Sequence, residues 1–235
     1  MKKKCYVTIL DDHQSIIDGY VYRLSGTPDI EVSATISYGE ELEPTLDAYP
    51  TDVLLLDISV PASAENPNAY PILHVIPNLL QKHPELNILV ISMYAERGLI
   101  HAVMEAGASG YILKDDQATI RDLGNVVQSV ANGGIYFSKK AHRLLFKQEE
   151  IPDGKRLSPR QLEALSLCAA YPDWTSAHLA DKMAVSHSTV RNLLSGAYLR
   201  LGVSNRAAAV AKARQLGLIT PDSPDYLESQ NPKEK

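Results

Sequence analysis

No stretch of this 235-residue chain is apolar for long enough to span a bilayer. The first apolar run, 5–10, follows Met1-Lys2-Lys3-Lys4 but stops at Asp11, far short of a signal-peptide core. Cysteine is scarce: Cys5 and Cys168 are the only two and lie far apart, which argues against a disulfide framework or a thiolate metal site. Both are read as buried thiols of a cytoplasmic protein with no membrane partner. A Ser/His/Asp set, a phosphate-binding loop and a glycine-rich dinucleotide fingerprint are also missing. No enzyme acting on an external substrate is expected. What remains, 45% hydrophobic and 22% charged, is the composition of an ordinary globular protein.

Charge is present but unevenly placed. Residues 1–150 hold 12 Lys and Arg against 20 Asp and Glu, a net of −8, while residues 151–219 hold 9 against 4, a net of +5. Residues 220–235 carry −2. Such asymmetry points to an acidic module joined to one that meets an anionic partner, with chance unevenness as the alternative.

The first 138 residues alternate short runs rich in β-branched residues (7–10, 30–36, 53–57, 88–91 and 110–113) with helically spaced segments. Five βα repeats predict a five-stranded doubly wound parallel sheet covered by helices on both faces. Residues 139–156 read as a polar linker, and 157–219 as a small all-α domain of four helices at 159–170, 175–183, 186–200 and 204–216. The tail 220–235, with three prolines and mixed charge, is expected to be disordered.

Ligands of such sheets bind beyond the carboxyl ends of the strands. There the chain places Asp11 and Asp12 after strand one, Asp57 after strand three, Ser92 after strand four and Lys114 after strand five. Any one of these acids alone is better read as a helix cap or solvated loop residue. Together they form a site, because converging carboxylates repel unless a cation joins them, and hard oxygen donors suit Mg²⁺. A metal-bridged Asp beside a Lys and a hydroxyl has the parts for phosphoryl transfer to the carboxylate.

The set Asp11-Asp12, Asp57, Ser92, Tyr111 within Gly-Tyr-Ile-Leu-Lys-Asp, and Lys114 resembles the receiver domain of two-component response regulators, which is flavodoxin-like. The resemblance implies Asp57 as phosphoacceptor, with Asp11, Asp12, Asp57 and the backbone carbonyl of Ser59 holding Mg²⁺. It implies Ser92 as the hydroxyl that moves to the phosphoryl group, Lys114 as its counter-charge and Tyr111 as the aromatic switch. A histidine kinase or a small phosphodonor would be the partner. Tyr111 read without the resemblance is an ordinary half-buried strand aromatic. The stretch 62–70 departs from the family pattern: it is several residues longer than usual and lacks glycine. It either alters access to Asp57 or is a neutral surface lengthening. Haloacid-dehalogenase-like phosphatases also use an Asp after a strand, but they carry an acid two residues on, where this chain has Ser59.

Segments 175–183 and 186–200 are spaced as a helix-turn-helix. In the second, Val190, Leu194, Ala197 and Leu201 share one face, leaving Ser188, Arg191, Asn192 and Ser195 on the other. Arg and Asn read guanine and adenine edges. Ser186, Ser188, Thr189 and Lys182 suit phosphate contacts. The alternative is a solvated polar face on a small bundle. Leu157-Ser158-Pro159-Arg160-Gln161-Leu162-Glu163, Ser188-Thr189-Val190-Arg191 and Leu199-Arg200-Leu201-Gly202-Val203-Ser204-Asn205-Arg206 resemble the output domain of LuxR/FixJ (NarL) regulators. The resemblance implies binding to double-stranded DNA, cytoplasmic location and a homodimer on activation through the alanine-rich last helix, although intradomain packing would explain the same alanines. Pro172-Asp173-Trp174-Thr175, Leu193 and Ser195 depart from that pattern, which suggests modest affinity. The expected function is a DNA-binding regulator controlled by phosphorylation of Asp57. The alternative is a phosphorylation-independent regulator whose receiver is an interaction module.

Overall fold

The structure is a computed structural model that describes residues 4–146 and 157–221. Most of the expected linker and tail lies outside the described residues. Strands β1 (Cys5–Leu10), β2 (Ile30–Ile36), β3 (Val53–Leu56), β4 (Asn87–Ser92), β5 (Gly110–Leu113) and β6 (Tyr136–Phe137) form one sheet in the order β2-β1-β3-β4-β5-β6. Every pairing is parallel. The sheet therefore has six strands where five were expected. Two residues are too short to carry a periodic signal, and β6 is held by bonds that composition does not show. Tyr136 N donates to the Ser109 carbonyl, and Leu113 N donates to the Ser138 hydroxyl.

Period-two alternation sends neighbouring residues of each strand to opposite faces. Leu54 and Leu56 pack with α2 (Leu42–Ala48), α3 (Ile72–Lys82) and α4 (Arg97–Glu105) through Leu46, Ile76 and Ile100. Val53 and Leu55 pack with α1 (Gln14–Ser25) and α6 (Leu123–Ala131) through Ile17, Leu24, Val126 and Val130. Each such fully buried aliphatic side chain contributes about 1.5–3 kcal/mol. The helically spaced residues 117–131 are broken at Asp122 (φ −97°, ψ 18°) into α5 (Gln117–Arg121) and α6. Residues Lys139–Leu145, inside the segment read as a linker, form α7, with Ala141 in the core of the first domain.

The second domain contains α8 (Pro159–Ala170), α9 (Ser176–Lys182), α10 (His187–Leu201) and α11 (Arg206–Gln215) around a core of Leu165, Leu179, Val190, Leu194, Ala197, Ala209 and Ala213. Side chains start these helices: the Ser158, Ser186 and Asn205 oxygens accept from the amides of Gln161, Thr189 and Ala208. The domains meet at two places. Helix α8 lies along α3, and Asn66 Nδ2 donates to the Ala170 carbonyl at 3.2 Å. At the second, a methyl group added at Gly98 in α4 would meet the Leu216 carbonyl at 2.5 Å, so glycine permits the end of α11 to approach.

Candidate functional site

Backbone hydrogen bonds draw the strand ends together. Asp57 N donates to the Leu10 carbonyl (2.8 Å), Asp11 N to Ile36 (3.2 Å) and Lys114 N to Ser92 (2.8 Å). Asp11, Asp12, Asp57, Ser92 and Lys114, scattered over about a hundred residues of sequence, thus share one edge. Lys114 Nζ lies 2.6 Å from Asp57 Oδ2 and 2.6 Å from Asp11 Oδ2. All three side chains are at most 8% exposed, so this is a desolvated bridge in which losing either partner costs about 3–5 kcal/mol.

Burial raises the Asp57 carboxyl above its ordinary range, the neighbouring Asp11 adds to this, and Lys114 opposes it. Asp12 is raised for the same first reason, with Asp57 adding and His13 opposing. Burial works to lower the Lys114 ammonium, but Asp57 and Asp11 outweigh it and raise it. The site is thus short of positive charge. His13, which sequence reasoning passed over, stands with its Nδ1 2.8 Å from Asp12 Oδ1 and 3.5 Å from Asp11 Oδ1. Asp11, Asp12 and His13 present ligand atoms within 4.8 Å of one another. Adjacency to the Asp pair was the only signal for it.

Ser59 donates its amide to Asp57 Oδ1 at 3.2 Å, and its own hydroxyl is buried with no partner among the described residues. The carboxylate donors, their raised proton affinity and this orphaned hydroxyl fit a hard divalent cation at the site. Ser92 is fully buried, and its Oγ accepts from Tyr94 N. Tyr111 is fully buried too, with its hydroxyl donating to the Tyr94 carbonyl at 2.7 Å. It is turned into the core beside Ser92 rather than half-buried. Burial, only partly offset by Ser92, raises its phenol well above the usual value.

In the helical domain, Ser186, Ser188, Thr189, Arg191, Asn192 and Ser195 are all exposed, while Val190, Leu194 and Ala197 face the core. Ser186 is engaged locally: its hydroxyl is 2.8 Å from both Ser188 Oγ and Thr189 Oγ1. His187, in the first turn of the same helix, is exposed and was not singled out. Lys182 closes α9, apart from that face, and lines a cleft between the domains with Glu43, Asp47 and Trp174. No helix among the described residues is long and apolar enough to cross a membrane.

Residues 7–125 match the response regulator receiver domain. The transcriptional regulatory protein DegU of Brevibacillus brevis is 27% identical over 238 residues, covering 93% of this chain and 96% of that protein. The oxygen regulatory protein NreC of Staphylococcus aureus is 28% identical over 223 residues, with coverage of 91% and 98%. Among solved structures, RcsB of Salmonella enterica serovar Typhimurium bound to promoter rprA in the presence of the phosphomimetic BeF₃⁻ superposes with a TM-score of 0.63 at 25% identity. It covers 89% of this chain and 98% of that one. A structure of two RcsB dimers on two parallel DNAs gives 0.55 at 25% identity, with the same coverage.

Proposed function

The chain belongs to the response regulator receiver family, with the NarL/LuxR arrangement of a receiver followed by a helix-turn-helix domain, and from that premise we propose a phosphorylation-controlled, DNA-binding regulator of transcription. The observation that carries the proposal is the buried Asp57–Lys114–Asp11 bridge at the carboxyl edge of the sheet. A carboxylate oxygen of Asp57 attacks the phosphorus of a phosphohistidine kinase or a small acyl phosphate. An O–P bond forms, the P–N or P–O bond to the donor breaks, and the leaving group departs with its electron pair. Lys114 can follow the new charge, since its ammonium already spans Asp57 and Asp11. Asp11, Asp12, Asp57 and the Ser59 carbonyl would hold Mg²⁺, which supplies charge neutralisation at the phosphoryl oxygens. Ser92 at the end of β4 and Tyr111 within β5 are the groups that would respond.

In the output domain, Arg191 and Asn192 on the open face of α10 suit base edges in the major groove, and Ser188 and Thr189 near its N-terminus suit phosphates. The partners proposed are a histidine kinase or small phosphodonor, double-stranded DNA, and a second copy of this chain on activation. The test is intact mass after incubation with acetyl phosphate and Mg²⁺. The wild type gains one base-labile phosphoryl group, and Asp57→Asn gains none. Equal labelling of the Asn variant removes Asp57 from the reading. Absence of labelling in the wild type favours a receiver that serves only as an interaction module.

A further inference from the structure

The long stretch 62–70 is a folded hairpin. Tyr70 N donates to the Val60 carbonyl (2.9 Å), Pro61 and Ala69 pair as an antiparallel bridge, and Ala62 N donates to the Asn68 carbonyl (2.9 Å). Val60, Ala62, Ala69 and Tyr70 are buried, so its base is part of the receiver core. Its near end is Ser59, whose amide touches Asp57 Oδ1. At its far end, Asn66 Oδ1 accepts from Asn68 N (3.2 Å) and Asn68 Nδ2 (2.7 Å), which fixes the orientation of the Asn66 amide. The Asn66 Nδ2 then donates to the carbonyl of Ala170, the last residue of α8.

Carbonyls in the last turn of a helix have no intrahelical partner. A receiver side chain therefore caps the first helix of the output domain. A second bond runs parallel to it: the Tyr171 hydroxyl donates to Glu40 Oε1 at 3.1 Å, and Glu40 N donates to the hairpin's Ala62 carbonyl at 2.9 Å. Beyond the cap, Tyr171 stacks on Trp174 at 4.0 Å between ring centroids, and Arg206 at the start of α11 donates to the Trp174 carbonyl at 2.7 Å.

We infer that the 62–70 hairpin is a coupling strut, through which the state of Asp57 sets whether the output domain stays docked on the receiver. The inference rests on reading Asp57 as the phosphoacceptor. The buried base of the hairpin does not absorb displacement by itself, and the backbone and Asn66–Asn68 hydrogen bonds carry it to the tip. When Asp57 gains a phosphoryl group, the Ser59 amide loses its carboxylate partner or re-aims toward the new oxygens. The shift is delivered at Asn66 and Glu40, where two hydrogen bonds hold the end of α8. Asn66 and Tyr171 are positioning residues in this scheme.

Trp174, the only tryptophan in the chain, reports on the junction directly. The decisive variant is Asn66→Asp with Tyr171→Phe in the full chain. The first substitution keeps the acceptor for Asn68 but turns the donor facing Ala170 into a repelling oxygen. The second removes only the hydroxyl that meets Glu40 and keeps an aromatic ring to stack on Trp174. Loss of two hydrogen bonds shifts docking by about ten-fold or more. Without phosphodonor, the variant's Trp174 emission should already match that of the phosphorylated wild type, and its scattering radius should exceed that of the resting wild type. On adding acetyl phosphate its emission should change at least about five-fold less than the wild type's. At saturating phosphodonor its Asp57 labelling should equal the wild type's. Identical emission and identical response, with Asp57 labelled in both proteins, overturn the strut. If neither protein is labelled, the function proposed above fails. The hairpin's hold on the output domain is then judged by the resting proteins alone: equal emission and equal radius overturn it, and an expanded variant supports it. Circular dichroism checks that the variant is folded. Tyr171→Phe alone, with the same expected direction, replaces the double variant if it is not.

Discussion

His74 on α3 shows how much one side chain at the domain junction depends on burial. Burial pushes its ring down to about 4, the Leu162 carbonyl of α8 only partly opposes this, and its Nε2 has no partner among the described residues. The folded ring takes up its proton at lower pH than the unfolded one, near 6.5. Between about pH 6.5 and 4 the unfolded state therefore binds more protons, and stability falls as pH falls through that window. From pH 6.5 to 5 this amounts to about 2 kcal/mol. His74→Gln should remove that part of the acid sensitivity, read as a smaller difference in urea midpoint between pH 7 and pH 5. An unchanged difference would count against the buried neutral ring. Gly39 is a second single-atom constraint: a methyl group there would lie 2.1–2.4 Å from ring and Cβ atoms of Tyr70. Gly39→Ala should cost about 1–3 kcal/mol by overpacking, seen in thermal unfolding, and should loosen the base of the 62–70 hairpin with it.

At the scale of elements, the turn between α9 and α10 carries strain. Ala184 has φ 51°, a left-handed conformation that costs an alanine about 1–2 kcal/mol and glycine almost nothing. Ala184→Gly should raise the thermal midpoint of the output domain, by a net gain of about 0.5–1 kcal/mol once glycine's extra unfolded-state entropy is counted. A lowered midpoint would mean that the turn is not held as described. The same scale shows what sequence could disclose. Strands such as 53–56 are continuous apolar runs, and the polar outer face of α10 follows from the spacing of Val190, Leu194 and Ala197, so both were legible. The meeting of Asp11, Asp57 and Lys114 was legible because parallel βα repeats bring alternate strand ends to one edge. Strand β6 was not, because two residues have no period and Ser138 looks like loop until its hydroxyl meets Leu113 N. The break at Asp122 hides in a helical pattern. The role of Asn66 was equally hidden: its partner, Ala170, is 104 residues away and offers a backbone carbonyl, which no side-chain pattern encodes.

Taken as a whole, the molecule docks its domains without covering the face that would read DNA. Ser188, Arg191, Asn192 and Ser195 stay exposed while α8 lies on α3 and the end of α11 abuts Gly98 of α4. What docking constrains is therefore α11 and the mutual freedom of the domains, not access to α10. Phosphorylation should then alter pairing of two chains more than the grip of one. On a duplex with a single half-site, binding should change less than about two-fold with phosphoryl mimic. On two half-sites about ten base pairs apart, binding should strengthen and sedimentation should shift toward dimer. In both cases affinity falls with salt, by a log–log slope of about −0.9 per phosphate neutralised, because the positive charge sits in residues 151–219 while the receiver is acidic. Arg191→Ala should cost about 1–3 kcal/mol on the preferred site and little on random DNA. Lys182→Ala should weaken both alike if its ammonium reaches a phosphate, and neither if it serves the cleft with Glu43 and Asp47. A single half-site bound strongly only after phosphorylation would mean that the docked arrangement does shield the reader, and the pairing argument would fail with it.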